Sequence, residues 1–180
     1  MKKHIIDRYD RNRDDEIVIK ISAKNIENLY DHFDNTSSFV KKDLNSELVD
    51  YIIQSVNEIG NEDFVIKFYF EESIDDISKA KIRESIYNFF EYLQELERKK
   101  MNQQIKNSLI FIVIGFLFVG VSIFMDRYES MASKILAEGV MVAGWVSLWE
   151  AMATFLIKWF PLRKKFRSFR KVSSARVVFE

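Results

Sequence analysis

The sequence predicts an α+β fold. A small two-layer cytosolic domain of about three strands, with helices on one face, is expected to stand on a long helix. This helix continues into a two-helix transmembrane hairpin. Three observations lead to this prediction. Short segments alternate apolar and polar residues, as half-buried strands do. A helical pattern runs without an obvious break from about Asp76 to Met125. Two long apolar segments lie in the second half of the chain.

Three segments have the period of two that is typical of strands. In Glu16–Ser22 and Phe64–Phe70, β-branched and aromatic residues fall on one face. Ala175–Glu180 is a third candidate of similar composition. Because an exposed edge strand tends to pair with other chains, we expect this third strand to pair with the first two.

Helices are predicted around the first two strands. Lys24–Phe33 is a short amphipathic candidate. Ser46–Ile59 follows Asn45, which is a favourable N-cap, and Gly60 is a typical residue to end it. The long helix from Asp76 carries a row of apolar residues spaced four and three apart. This row could pack on the chain's own sheet, or it could form a coiled coil with another helix. The residues of this row are Ile82, Ile86, Phe89, Leu93 and Leu96.

Two segments are predicted to cross a membrane. Ser108–Met125 has eighteen residues without a charge and spans roughly 27 Å as a helix, close to the hydrocarbon thickness of a bilayer. Ile135–Ile157 is longer but contains Glu138 and Glu150. Lys and Arg are more frequent on the outer flanks of the pair than in the turn Asp126–Lys134, and cytosolic loops carry such an excess. We therefore expect a multi-pass protein of the cell (inner) membrane with both termini cytoplasmic.

The expected organisation has four parts. They are a charged N-terminal segment (1–15), a cytosolic α+β domain with a helical stalk (16–104), a transmembrane hairpin (105–160, with spans 108–125 and 135–157) and a basic cytosolic tail ending in a strand (161–180). Pro161 is expected to end or kink the second membrane helix. Residues 1–104 hold 16 Lys and Arg against 22 Asp and Glu, whereas 105–180 hold 11 against 5. An acidic domain is thus joined to a basic membrane part.

The second apolar segment carries small and polar residues at helical spacing, which lets helix backbones approach closely. Glu150 belongs to this face, and a carboxylate there is costly unless it is paired, protonated or facing water. The face is therefore a candidate for helix packing or for the wall of a pore. The alternative is that Glu150 reaches toward the interface and pairs with Lys158 or Lys106. The candidate residues are Gly139, Ala143, Ser147, Glu150, Ala151 and Thr154.

The segment Phe160–Lys171 interleaves aromatic residues with Lys and Arg. Directly after a membrane helix, this pattern favours contact with anionic lipid headgroups. Nucleic acid is the weaker interpretation, since the soluble domain is acidic. The headgroup candidates are Arg163, Lys164, Lys165 and Arg167.

No catalytic constellation, metal-ligand spacing or glycine-rich phosphate loop is recognisable in the sequence, and it contains no cysteine. The chain is therefore predicted not to be an enzyme and to need no cofactor or metal. The polar stretch Asp31–Asn45 is the main loop between structured elements, and such loops often carry sites. Its candidates for contact with a partner are Phe39, Asp43 and Asn45.

Three motifs carry a resemblance to a known group of proteins: SSFVKKDLNSELVDYI (Ser37–Ile52), GWVSLWEAM (Gly144–Met152) and WFPLRKKF (Trp159–Phe166). They resemble a family of small bacterial membrane proteins that have no assigned activity. The resemblance implies a soluble N-terminal domain and a C-terminal two-helix transmembrane hairpin, and nothing catalytic. The matching positions are Phe39, Asp43, Leu44, Trp145, Trp149 and Pro161.

These observations predict a non-enzymatic integral membrane protein that self-associates through its transmembrane hairpin and presents a cytosolic interaction domain. One alternative is a homo-oligomeric pore or ion channel lined by the second transmembrane helix. Another is an accessory subunit of a larger membrane complex, and a third is a membrane-anchored enzyme that uses the loop Asp31–Asp43. The expected partners are membrane lipid, further copies of the chain and a protein in the cytosol, but no nucleic acid.

Overall fold

The computed structural model describes residues 6–31, 42–128 and 130–180. It is an α+β structure with a four-stranded mixed sheet and a long helix followed by a second one. The chain forms two compact units. The sheet domain comprises the residues up to 95 together with 166–180, and the hairpin comprises residues 96–165.

Four strands form the sheet: β1 (Asp10–Arg11), β2 (Ile17–Ala23), β3 (Phe64–Phe70) and β4 (Arg176–Phe179). They lie in the order β1-β2-β3-β4, with β1 antiparallel to β2 and the other two pairs parallel. The strand near residue 180 thus pairs with β3 of its own chain, where Val177 lies beside Ile66.

Four helices longer than one turn accompany the sheet in the described part of the chain. They are α1 (Ser46–Ile59), α2 (Asp76–Met125), α3 (Met131–Ala153) and α4 (Phe160–Ser173). The first 20 residues of α2 belong to the sheet domain and its last 30 to the hairpin, whereas α3 lies wholly in the hairpin. Between α3 and α4 the backbone forms a π-helical segment, Thr154–Trp159.

The core of the sheet domain lies on one face of the sheet. Alternate residues of β2, such as Ile19, and of β3, such as Ile66 and Phe68, are fully buried there. Buried side chains of α1, α2 and α4 join the same cluster: Ile52, Val56, Ile82, Ile86, Phe90 and Val172. The first residues of the predicted apolar row on α2 therefore pack within the chain's own sheet domain.

Helix α1 has the bounds that the sequence predicts. The side chain of Asn45 accepts hydrogen bonds from the backbone N–H groups of Glu47 (2.9 Å) and Leu48 (3.4 Å), which otherwise have no partner at a helix start. Gly60 ends the helix with a φ of 75°, a conformation that favours glycine.

Two predictions for the first half of the chain need correction. The charged N-terminal segment contains a strand, β1, which pairs with β2 although its two residues are both polar. Of the helix predicted at Lys24–Phe33, the described residues up to Asp31 form only a single 3₁₀ turn, Ile26–Leu29, and the last two lie outside the described residues. Tyr30 follows this turn in extended conformation and forms an antiparallel β-bridge with Leu44. The helix therefore cannot continue beyond Leu29.

Pro161 was predicted to end or kink the helix; it does not end it, since the helix continues through Pro161 into α4. Proline lacks the N–H group and its ring collides with the carbonyl four residues earlier in an α-helix. The π-helical turns just before Pro161 widen the spiral and remove that collision. Part of the predicted basic tail is thus a helix whose Val172 lies in the core and whose Ser168 Oγ donates to Asn57 Oδ1 (2.9 Å).

Candidate functional site

The hairpin contains two helices that are long and apolar enough to cross a membrane. Their best eighteen-residue windows have mean hydropathies of 2.7 and 1.6, and 17% of each window is buried inside the molecule. Large apolar side chains therefore face outward along both helices, for example Phe116, Trp145 and Trp149, each exposed by more than 60%.

Small residues at intervals of seven bring α2 and α3 together. Each step of seven along α2 is matched by a step of seven in the opposite direction along α3, as an antiparallel pair requires. The three levels of this inner seam are Ser108 with Ala151, Gly115 with Gly144, and Ser122 with Ala137.

Serine hydroxyl groups make hydrogen bonds between the two helices at the first and third levels of the inner seam. Ser108 Oγ donates to the carbonyl oxygen of Ala151 (2.8 Å), and Ser122 Oγ donates to that of Ala137 (2.7 Å). Both serines are buried. Such hydrogen bonds hold neighbouring helices together where water is excluded.

At the middle of the inner seam the two backbones are in contact. A Cβ atom on Gly115 would lie 2.7 Å from Leu148 Cγ and 3.1 Å from the carbonyl oxygen of Gly144. A Cβ atom on Gly144 would lie 2.9 Å from Val119 Cγ2 and 3.1 Å from the carbonyl oxygen of Gly115. A side chain at either position would force a neighbouring side chain to move and would press on the backbone of the other helix, so the close crossing favours glycine at both positions.

The structure divides the small residues predicted as one packing face. Ala151 and Thr154 are almost fully buried within the hairpin, at 2% and 1% exposure. Gly139 points outward, and a Cβ atom there would meet nothing within 4 Å. Ala143 and Ser147 are half-buried on the same helix, with Ser147 Oγ donating to the carbonyl oxygen of Ala143 (2.9 Å). We call Gly139, Ala143 and Ser147 the outer stripe.

Glu150 belongs to a ladder of polar side chains on the second helix. Lys158 Nζ donates to its Oε1 atom (3.2 Å), and Thr154 Oγ1 does so as well (3.3 Å). Lys158 Nζ also lies 3.4 Å from Thr154 Oγ1. Pairing with Lys158 is the arrangement that the sequence offered as the alternative to a pore-lining carboxylate.

The π-helical segment explains how Glu150 and Lys158 meet. In a regular α-helix, side chains eight residues apart point about 80° away from each other. The wider π turn between Thr154 and Trp159 advances each residue by a smaller angle and returns Lys158 to the side of Glu150. π-helical turns are rare and occur often at functional sites.

The predicted headgroup residues lie just beyond the ladder. Arg163, Lys164, Lys165 and Arg167 are all exposed. The guanidinium of Arg163 lies 5.2 Å from the centre of the Trp159 ring, which itself stacks on Phe155 at 5.1 Å. Arg163, Lys164 and Lys165 belong to the hairpin, whereas Arg167 belongs to the sheet domain.

The predicted partner loop is described only in part, because Phe39 lies outside the described residues. The carbonyl oxygen of Asp43 accepts a hydrogen bond from the backbone N–H of Asp31 (3.0 Å), and Asn45 caps α1. Within residues 6–31, 42–128 and 130–180, no group of three or more His, Asp or Glu side chains is placed to hold a metal ion.

The face of the sheet opposite the core carries ion pairs that tie flanking segments to the strands. Lys20 pairs with Asp10, Lys67 with Glu180, and Arg176 with Glu16 and Asp14. The hydrogen bond from Lys67 lowers the pKa of the Glu180 carboxyl below its ordinary value of 4.5. The hydrogen bond from Lys20 lowers the pKa of the Asp10 carboxyl in the same way, below 3.8.

Acid will therefore weaken the sheet domain. A carboxyl with a lowered pKa in the folded state stabilises the fold above its ordinary pKa, and this contribution disappears as the pH falls through the folded-state value. We expect the unfolding temperature of the full chain to fall as the pH drops below about 4.5. In Glu180→Gln the temperature should be lower at neutral pH and should fall less with acid. An equal acid response of both proteins would contradict a stabilising pair between Glu180 and Lys67.

No family model, curated protein or solved structure is significantly similar to this chain. Its function has to be inferred from its own residues and their geometry.

Proposed function

We propose that this protein is a non-enzymatic integral membrane protein that self-associates through the outward face of α3 and presents the sheet domain as a cytosolic interaction domain. The observation that carries the proposal is the division of small residues on α3 into two sets. One set is used within the hairpin; in the other, the outer stripe, Gly139 faces outward with space for a neighbouring backbone, and Ala143 and Ser147 are half-buried.

Three features support a membrane location. Large apolar side chains face outward along both helices, where water would be an unfavourable environment. The side chains between the helices are small, and the serines there have backbone partners, as membrane interiors demand. Lys and Arg are concentrated at the open end of the hairpin rather than at its turn, which favours cytoplasmic termini.

Two features support self-association. At Gly139 a second helix could approach to backbone contact, and Ala143 and Ser147 continue this narrow strip along the same helix. The ion pair beside the stripe is the other feature, because the side chains of Glu150 and Lys158 expose 44% and 54% of their surface. A charged pair facing hydrocarbon is costly, so covering it with a second copy would stabilise the assembly.

The test is the mass of the full chain in detergent micelles or nanodiscs, measured by native mass spectrometry. We expect a discrete homo-oligomer for the unchanged protein. The double variant Gly139→Leu with Ala143→Leu should dissociate at least tenfold more readily, because leucine side chains hold the backbones apart.

The matched control is Gly120→Leu, on the other helix. Gly120 is exposed, and a Cβ atom there also meets nothing within 4 Å. The control should keep the oligomer of the unchanged protein. A monomeric unchanged protein, or equal dissociation in the control, would overturn self-association through the outer stripe.

A further inference from the structure

The open end of the hairpin, where both arms leave the apolar region, carries basic clusters on both helices. Arg98–Lys100 precedes the apolar part of α2, and Arg163–Lys165 follows that of α3. All six side chains are exposed. Because the two arms are antiparallel, the clusters lie at the same end of the hairpin. We call these six residues the basic collar.

Two carboxylates of the hairpin near the basic collar each have a lysine partner. Glu97 is almost fully buried, and its Oε1 atom accepts a hydrogen bond from Lys100 (2.7 Å). Glu150 lies deeper in the hairpin and pairs with Lys158. Arg98 on α2 and Arg163 and Lys165 on α3 are exposed beside these pairs.

Trp159 fixes the level of the collar relative to the apolar region. Its ring stacks on the Phe155 ring, and the guanidinium of Arg163 lies 5.2 Å from its centre, so aromatic and basic side chains meet at this level. Tryptophan rings are enriched at the boundary between hydrocarbon and headgroups. A guanidinium held at this boundary is placed to meet lipid phosphates.

We propose that the basic collar binds the headgroups of anionic phospholipids. The ligand chemistry is a phosphate diester attached to a membrane-embedded glycerolipid, held by Lys and Arg side chains from both helices. This inference rests on the proposed membrane location but not on self-association. The turn end of the hairpin, where Asp126 stands next to Arg127, has no comparable excess of positive charge and should show no such preference.

The test uses the full chain in detergent with equal amounts of phosphatidylglycerol and phosphatidylcholine, and native mass spectrometry counts each lipid bound. We expect phosphatidylglycerol to be retained at least tenfold more than phosphatidylcholine. The variant Arg98→Gln with Lys165→Gln removes one charge from each arm and keeps helix-forming side chains. It should bind phosphatidylglycerol about 25-fold more weakly, from about fivefold for each lost charge.

The matched control is Arg127→Gln with Lys134→Gln, which removes two exposed charges at the turn end. It should retain the preference of the unchanged protein. Equal binding of the two lipids, or an equal loss in both variants, would overturn the proposal. Displacement by an excess of inorganic phosphate would also overturn it, since the collar would then be a site for a soluble anion. Bound lipids are counted separately for the monomer and for the oligomer, so lipid binding is measured even if the protein does not self-associate.

Discussion

Replacing Gly144 with leucine should open the hairpin. The new Cβ atom would lie 2.9 Å from Val119 Cγ2, and two of its closest neighbours are backbone atoms, the carbonyl oxygen of Gly115 at 3.1 Å and the amide nitrogen of Val119 at 3.2 Å. Backbone cannot yield as a flexible side chain does, so the two helices must move apart. We expect a loss of about 3 kcal/mol in the free energy of unfolding. Titration of the micelle-bound chain with a denaturing detergent measures it.

Gly139→Leu is the matched control for the opening of the hairpin. The same substitution on the same helix, at a position where a Cβ atom meets nothing within 4 Å, should change the unfolding free energy of the monomer by less than about 0.5 kcal/mol. If the two variants lose the same stability, the helices do not cross at Gly144.

Replacing Phe90 with alanine should cost the sheet domain about 3–5 kcal/mol. The Phe90 ring is fully buried, meets the Phe89 ring edge-on at 5.8 Å and lies 6.1 Å from the Phe169 ring. Alanine leaves a cavity between two helices that the sheet holds in place. Thermal or chemical unfolding of the full chain, followed by near-ultraviolet circular dichroism, measures the loss.

Tyr92→Ala provides the comparison for Phe90. Tyr92 is an aromatic residue on the same helix, but 54% of it is exposed. Its replacement should stay within about 0.5 kcal/mol of the unchanged protein. A similar loss for both variants would mean that the face of α2 assigned to the core is wrong.

Strong local signals made much of the fold predictable. The Asn45 cap and Gly60 bound α1 because both ends of a helix need partners or a special backbone conformation. Helix α2 runs from Asp76 to Met125 as predicted, since no residue between them interrupts its pattern. The core strands were recognised because their side chains alternate between a buried and an exposed face.

The inner seam was not predicted, although the sequence contains its signal. Small residues recur every seven positions on α2, at Ser108, Gly115 and Ser122, and in the opposite direction on α3. Small residues every four positions on α3 include residues that the structure separates, such as the exposed Gly139 and the buried Ala151. The contact surface of a hairpin is recognised only when the two helices are compared in antiparallel register.

Two other features depend on tertiary context and had no local signal. Strand β1 is two polar residues long, and it exists because the adjacent edge of β2 offers hydrogen-bonding partners. The continuation of the helix through Pro161 depends on the π-helical turns before it, which the usual rule for proline does not anticipate. The sequence offers Lys158 and Lys106 as possible partners of Glu150; the pair with Lys158 is the one present, and it follows from the same turns.

The parallel pairing of β4 with β3 has a consequence for the order of biosynthesis. Between the two strands lie 105 residues, including both apolar helices. The entropic cost of closing this connection is only about 1 kcal/mol more than that of closing the 40 residues between β2 and β3. The long connection therefore matters little for stability, but it delays the pairing of β3 with β4. Strand β3 leaves the ribosome long before β4, and its aromatic edge stays unpaired until β4 has been synthesised. During that interval the unpaired edge exposes the nascent chain to aggregation, and binding by a chaperone would protect it.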